Sequence, residues 1–356
     1  MQAETKINFT PQYTSLELKQ VAERSAIPAS FVHFSSPHAL LTFAPGQGVT
    51  IEGGTKIAEH VAVGDNTHIA SGSDIGYRSE IGSNNRIGYE SGVKIGQEVR
   101  THDNVEIADD AKVGYGSTLE KNSAVGESTH IGPFVHIGAA AKIGYSAIIG
   151  DSTRIGKSSH LSPETKTGLR VNIGDRTTIG YGSQIGHDTH IDHDSRLGNK
   201  VVITSKATVG NDVEIGDGVK IGDSAQIGEG TLIDKLTYIY PKARIGSANR
   251  IGQEASIGSN VQTDSEVHIK SKAKIDSDAI LKRGSQVEEE AVAESHSVLP
   301  RKAVLSRGSR LKRNAKMSSW ERLPAGKTKE PTRHQTKKFK KKHPGRPVAS
   351  SLGLFY

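Results

Sequence analysis

The chain has 356 residues, of which 24% are charged and 5% aromatic, with no cysteine and a formal charge of +7. The missing cysteine excludes disulfides, thiolate nucleophiles and Cys-ligated metal together. No stretch approaches the roughly 18 apolar residues that cross a membrane, and Met1 to Leu16 holds no apolar core of signal-peptide length, so a cytoplasmic protein is expected.

Residues 1–48 carry no repeat. Ser15 is placed to cap a short helix from Leu16 to Arg24, with Leu18 and Val21 on one face. Pro28, Pro37 and Pro45 break up the remainder of the segment, and Phe31, Phe34 and Phe43 are concentrated there. The segment reads as a cap over whatever sheet edge begins at Val49, because an open edge leaves backbone groups unpaired.

From residue 49 to residue 317 one rule dominates. Starting at Ile95, every sixth residue is aliphatic or a near substitute: Ile95, Thr101, Ile107, Val113, Leu119, Val125, Ile131 and on to Leu311 and Met317. Two places before each stands a small or β-branched residue, such as Val93, Ala111 or Ser123. Residues two apart on an extended chain face one side, so each pair is a short strand with one buried face. The residue between them points outward and is usually polar, as at His130, His136, Lys142 and Lys220. Three residues remain for a corner, and the third is often Asn, Asp or Gly (Asn66, Gly72, Asn84, Asp212), which tolerate a left-handed backbone.

The same phase, displaced by two, covers Val49 to Ile87. Two extra residues near Glu90-Ser91-Gly92 must therefore bulge at a corner. From residue 261 the glycines disappear (Ile269-Lys270, Ile275-Asp276), and these coils are expected to be less regular. Trp320 and Leu323 are placed to close the end. Residues 324–356, rich in Lys, Pro, Gly and Ser without aliphatic periodicity, read as disordered. The division is thus a cap segment (1–48), a repeat body (49–317), and a closing segment with a basic tail (318–356).

Strands this short cannot each turn back as hairpins. They pair only if the chain coils and stacks on itself in parallel. The run resembles the hexapeptide-repeat family, whose fold is a left-handed parallel β-helix with three hexads per triangular turn. The resemblance implies an all-β chain of roughly 15 coils, about 70 Å long at the usual strand spacing.

Many enzymes of that family are acyl- or acetyltransferases, with a histidine base at a cleft between subunits of a homotrimer. Ile185-Gly186-His187-Asp188, followed by Leu197-Gly198-Asn199, is similar to the His-Asp segment of the UDP-N-acetylglucosamine acyltransferases. The resemblance implies that His187 is the base and that acyl-CoA or acyl carrier protein is the co-substrate. Asp188 receives no role. His187, His190 and His193 invite comparison with the three-histidine metal site of gamma-class carbonic anhydrases of similar fold. The hexad phase opposes it, because it puts 187 and 193 at different corners with His190 on the strand between them, and no resident metal or cofactor is expected. Tyr77, Tyr89, Tyr115, Tyr145 and Tyr181 recur after the repeat glycine, and packing over neighbouring corners accounts for them.

Charge is unevenly placed. From Arg301 to the end there are 17 Lys or Arg against 2 Asp or Glu, which leaves the preceding part mildly acidic. Lys337, Lys338, Lys340, Lys341 and Lys342 form a dense cationic cluster suited to phosphates, and Phe339 is placed to stack on an exposed base. Gly345-Arg346-Pro347 resembles half of an AT-hook core, which adds Arg346 to the candidates. Two functional readings result. The preferred one is an elongated, non-catalytic scaffold whose basic tail takes nucleic acid, an acidic protein or another polyanion. It rests on the length, the near absence of loops and the charge asymmetry. The alternative is a hexapeptide acyltransferase working through His187.

Overall fold

The computed structural model describes residues 33–34, 36–332 and 335. The proposed helix from Leu16 to Arg24 lies outside them. The chain divides into two compact units, Met1–Gly230 and Thr231–Tyr356.

The first unit is a parallel β-solenoid built from the hexads. From Thr50–Ile51 onward every strand of this unit is two residues long, with one outward residue and one buried inward residue, as in Lys142–Ile143 and Arg154–Ile155. Strands pair in parallel with the strand 18 residues on: Lys112 with His130, Thr118 with His136, Ala124 with Lys142. Eighteen is three hexads, so each coil contributes one strand to each of three sheets. The inward column is closed to water, with Ile107, Ile131, Ile137, Ile149 and Ile155 all at 0% exposure. Each such side chain contributes on the order of 1.5–3 kcal/mol on burial. This is a parallel β-helix, the coiled and stacked arrangement expected of so regular a period of six.

The phase slip is resolved at one corner. Pairing across it runs at 20 residues: Asp74 with Lys94, Glu80 with Arg100, Arg86 with Glu106. The two extra residues form a bulge at 89–92, and pairing returns to 18 at the next coil.

Before the first hexads, a helix α1 (Pro37–Thr42) interrupts the cap segment. Pro37 starts this helix, although the sequence pattern casts it as a breaker. A proline at the first helical position loses no hydrogen bond, and Ser36 caps the helix by accepting from the Ala39 N–H at 3.0 Å. Ala39 and Phe43 are buried. Strands His33–Phe34 and Ala44–Pro45 pair with Lys56–Ile57 and Ala62–Val63.

The second unit repeats the architecture. Its coils keep the 18-residue register where the glycines are gone: Lys274 with Val292, Ile280 with Val298, Gln286 with Val304. The expected loss of regularity is therefore not found. Pairing also continues past Met317, through Arg322–Leu323 and Thr328–Lys329. Leu323 is buried, but Trp320 is 69% exposed, and its ring lies 4.3 Å from the Lys302 ammonium instead of closing the end.

Candidate functional site

His187 stands at a corner of the first unit, exposed, directly after the strand Gln184–Ile185. Its Nδ1 accepts the Leu169 backbone N–H at 2.8 Å. This hydrogen bond engages the Nδ1 lone pair. The same kind of contact caps the next corner along the chain. Asp175 accepts from the Lys157 N–H at 2.8 Å, His193 Nδ1 from the Asp175 N–H at 2.8 Å, and Asn211 from the His193 N–H at 3.1 Å. At that corner histidine fills a place that Asp175 and Asn211 fill on the coils before and after, whereas the coils on either side of His187 place Leu169 and Ser205 there. Asp188 forms a two-pronged ion pair with Arg170, at 2.7 and 3.0 Å. The Arg170 hydrogen bond outweighs burial and holds the Asp188 carboxyl below its ordinary range.

His190 does not join its neighbours. It lies on the strand face between the two corners, with Nδ1 3.0 Å from Asn172 Nδ2 and Nε2 2.6 Å from Asp192 Oδ1. The three histidines are thus committed to three separate sets of partners. Tyr145 and Tyr181 share a corner column two coils apart, both exposed. Tyr77 packs edge-on against His60, and Tyr115 against Phe134. The tail cluster Lys337, Lys338, Phe339, Lys340, Lys341, Lys342 and Arg346 lies outside the described residues.

A site that the sequence pattern did not single out lies on another face. Lys94, Lys112 and His130 are the outward residues of three successive rungs, in register Lys94 with Lys112 and Lys112 with His130. Their side chains line two shallow depressions, one shared with Asp110 and the other with Asp74 and Gln97. Gly96 and Gly114 directly follow the strands of Lys94 and Lys112, so no side chain stands beside the two ammonium groups on that side. Like charges facing each other across adjacent strands are destabilising, at about 1 kcal/mol for unit charges one strand spacing apart in a water-like medium. Neither lysine has an ion-pair partner among the described residues. The signal was in the sequence: outward residues sorted at intervals of 18 put these three in one column.

The half-buried His136 lies on a second sheet, in register between Thr118 and Arg154. Burial pushes its imidazole below the ordinary histidine value, although Glu120 pulls the other way.

No protein-family model and no curated protein sequence matches the chain. Among solved structures, it is similar to the acetyltransferase domain of PglB from Neisseria gonorrhoeae in complex with acetyl coenzyme A. That match has 23% identity, covers 28% of this chain and 50% of that one, and has a TM-score of 0.26. It is also similar to the UDP-N-acetylglucosamine acyltransferases of Francisella novicida (20% identity, 50% and 63% covered, TM-score 0.25) and Campylobacter jejuni (18%, 50% and 66%, TM-score 0.23). The chain thus spans between half and two thirds of the length of these structures. No helix among the described residues is long and apolar enough to cross a membrane.

Proposed function

We propose that this hexapeptide-repeat β-helix is an acyltransferase that takes its acyl group from a phosphopantetheine thioester, coenzyme A or acyl carrier protein. The observation that supports it is the column Lys94, Lys112, His130 lining the two depressions. Two unpaired ammonium groups one rung apart suit the phosphates of such a donor. An imidazole on the next rung suits the base. In this reading His130 takes the proton of an acceptor hydroxyl or amine as that group attacks the thioester carbonyl. The tetrahedral adduct expels the thiolate, which takes the proton back from the imidazolium. His187 is the second candidate for the base, and it must first release the Leu169 N–H. A homotrimer, with a neighbouring copy closing the open face, is part of the proposal.

The test is calorimetric titration of the full chain with coenzyme A. Lys94→Ala with Lys112→Ala should weaken binding at least about tenfold, since each hydrogen bond to a charged group contributes roughly 1.5–3 kcal/mol. Lys166→Ala, on the same face outside the depressions, should leave it unchanged. His130→Ala should bind coenzyme A and fail to consume acyl-CoA. Absence of binding, or equal weakening by Lys166→Ala, rejects the reading.

The scaffold reading stands second, resting on the length, the near absence of loops and the charge asymmetry. It places the activity in the tail, and removing the tail tests it.

A further inference from the structure

Among the described residues, His38, Glu59 and His60 each offer one ligand atom, and these atoms lie within 4.8 Å of one another. They come from two elements far apart in structural role. His38 is on α1; Glu59 and His60 form a corner of the first solenoid unit. We propose that these three side chains bind a divalent transition-metal ion, zinc by donor chemistry, which pins α1 to the solenoid.

The donor set is the first argument. Two imidazoles and one carboxylate are borderline ligands of the kind zinc takes, with bonds of about 2.0–2.2 Å and a fourth position left for water. Magnesium and calcium prefer all-oxygen shells, and the chain has no thiolate to favour softer ions.

The second argument is that the site is supported from behind. Ser36 Oγ donates to Glu59 Oε1 at 2.6 Å, which leaves the other carboxylate oxygen for the ion. The same Ser36 oxygen accepts the Ala39 N–H, so one residue fixes both the helix start and the carboxylate. The His60 N–H donates to Thr42 Oγ1 at 2.9 Å, which ties the corner to the last residue of α1. The His38 and His60 rings meet edge to face at 5.5 Å, and Tyr77 stands edge-on to His60 at 5.7 Å, restricting its rotation. Partners of this kind hold ligating side chains in place and are worth about 10–100-fold in affinity at metal sites.

The third argument is the backbone. His60 holds a left-handed conformation, φ 58°, at a corner position where Asn and Asp cost less. The corner itself is held by the His60 backbone N–H on Thr42, and that contact makes no use of the ring. The imidazole is therefore surplus to the corner, and it lies against His38 and Glu59.

The experiment is equilibrium dialysis of the full chain against Zn²⁺, with metal counted by mass spectrometry. The expected result is one tightly bound ion per chain, unaffected by Mg²⁺. His38→Ala and His60→Ala should each weaken binding at least about tenfold, while His187→Ala with His193→Ala should not. His38 is exposed, so its variant keeps the fold, and an unchanged far-ultraviolet spectrum verifies that. Zinc should also slow proteolysis within residues 36–43 in the native chain and not in His38→Ala. Absence of a stoichiometric ion, or the same occupancy in His38→Ala, overturns the proposal.

Discussion

Single residues in this fold are chosen by their place in the hexad, and chemistry has to be separated from that demand. His187 shows how. Its imidazole accepts the Leu169 N–H just as the Asn199 amide oxygen accepts the Tyr181 N–H at 2.9 Å elsewhere in the same unit. Asparagine therefore substitutes for the histidine in the corner but not as a proton acceptor. His187→Asn should leave the thermal midpoint unchanged, whereas His187→Ala, which strands one exposed N–H, should cost less than about 1 kcal/mol. If His187→Asn abolishes thioester consumption in a protein of unchanged stability, the base is His187 and the assignment to His130 fails. The same discipline applies inside the coils. Thr101 occupies an inward place that is aliphatic on most coils, and its hydroxyl is satisfied by Asn85 Nδ2 at 2.7 Å, while Asn85 Oδ1 accepts the Val105 N–H at 2.7 Å. The pair recurs as Asn249 and Thr263, with Val267 as donor. Buried polar groups such as these are tolerated because each finds a partner.

At the scale of the element, strand and corner were legible and the exceptions were not. The inward and outward places come from a period of two, and the bulge comes from counting eight residues where six belong. Left-handed corners were expected mainly at Asn, Asp and Gly, yet Phe134, Leu236, Ala140 and Trp320 also have positive φ. The cost of such a residue is about 1–2 kcal/mol, and pairing to the coils on either side imposes it regardless of residue type. The helix α1 escapes the hydrophobic pattern because Pro37 signals a breaker unless Ser36 is recognised as its cap. The two depressions escape it because the residues of the column are adjacent in register and 18 apart in sequence. The bulge also has a chemistry of its own. Asp109 accepts the backbone N–H groups of Tyr89, Glu90 and Ser91 at 2.6, 3.1 and 3.1 Å. Gly88 permits the tight turn, since a Cβ there would stand 2.5 Å from the Ser91 carbonyl oxygen. Burial pushes the Asp109 carboxyl up, but the three N–H donors and Arg86 outweigh it and hold it below the ordinary 3.8. A carboxyl depressed in the fold stabilises fully above its unfolded value and loses that contribution as pH falls through the lower folded one. The Tyr89, Glu90 and Ser91 amide resonances should therefore titrate together with a midpoint below 3.8 and stop titrating in Asp109→Asn. A midpoint at or above the ordinary value contradicts the cap.

Over the whole molecule the question is where charge is carried. Arg322–Leu323 and Thr328–Lys329 pair with earlier coils, so the basic residues from Arg301 to Lys329 are held on paired strands and corners. Some are already matched: Arg307 faces Glu289 at 3.5 Å, and Arg310 faces Glu294 at 3.3 Å. A truncation at residue 324 would remove a paired strand together with the tail and confuse two effects. A cut after Thr332 keeps every described strand and removes seven Lys or Arg and no acidic residue. If the tail binds polyanions, that cut should abolish retention of the chain on duplex DNA. The native chain should lose affinity with salt at a logarithmic slope of about −0.9 for each phosphate neutralised. The shortened chain should still bind coenzyme A, because the Lys94 and Lys112 column is intact. DNA binding that survives the cut with an unchanged salt slope would move the polyanion site onto the solenoid. Loss of both activities together would show that one cationic surface serves both ligands.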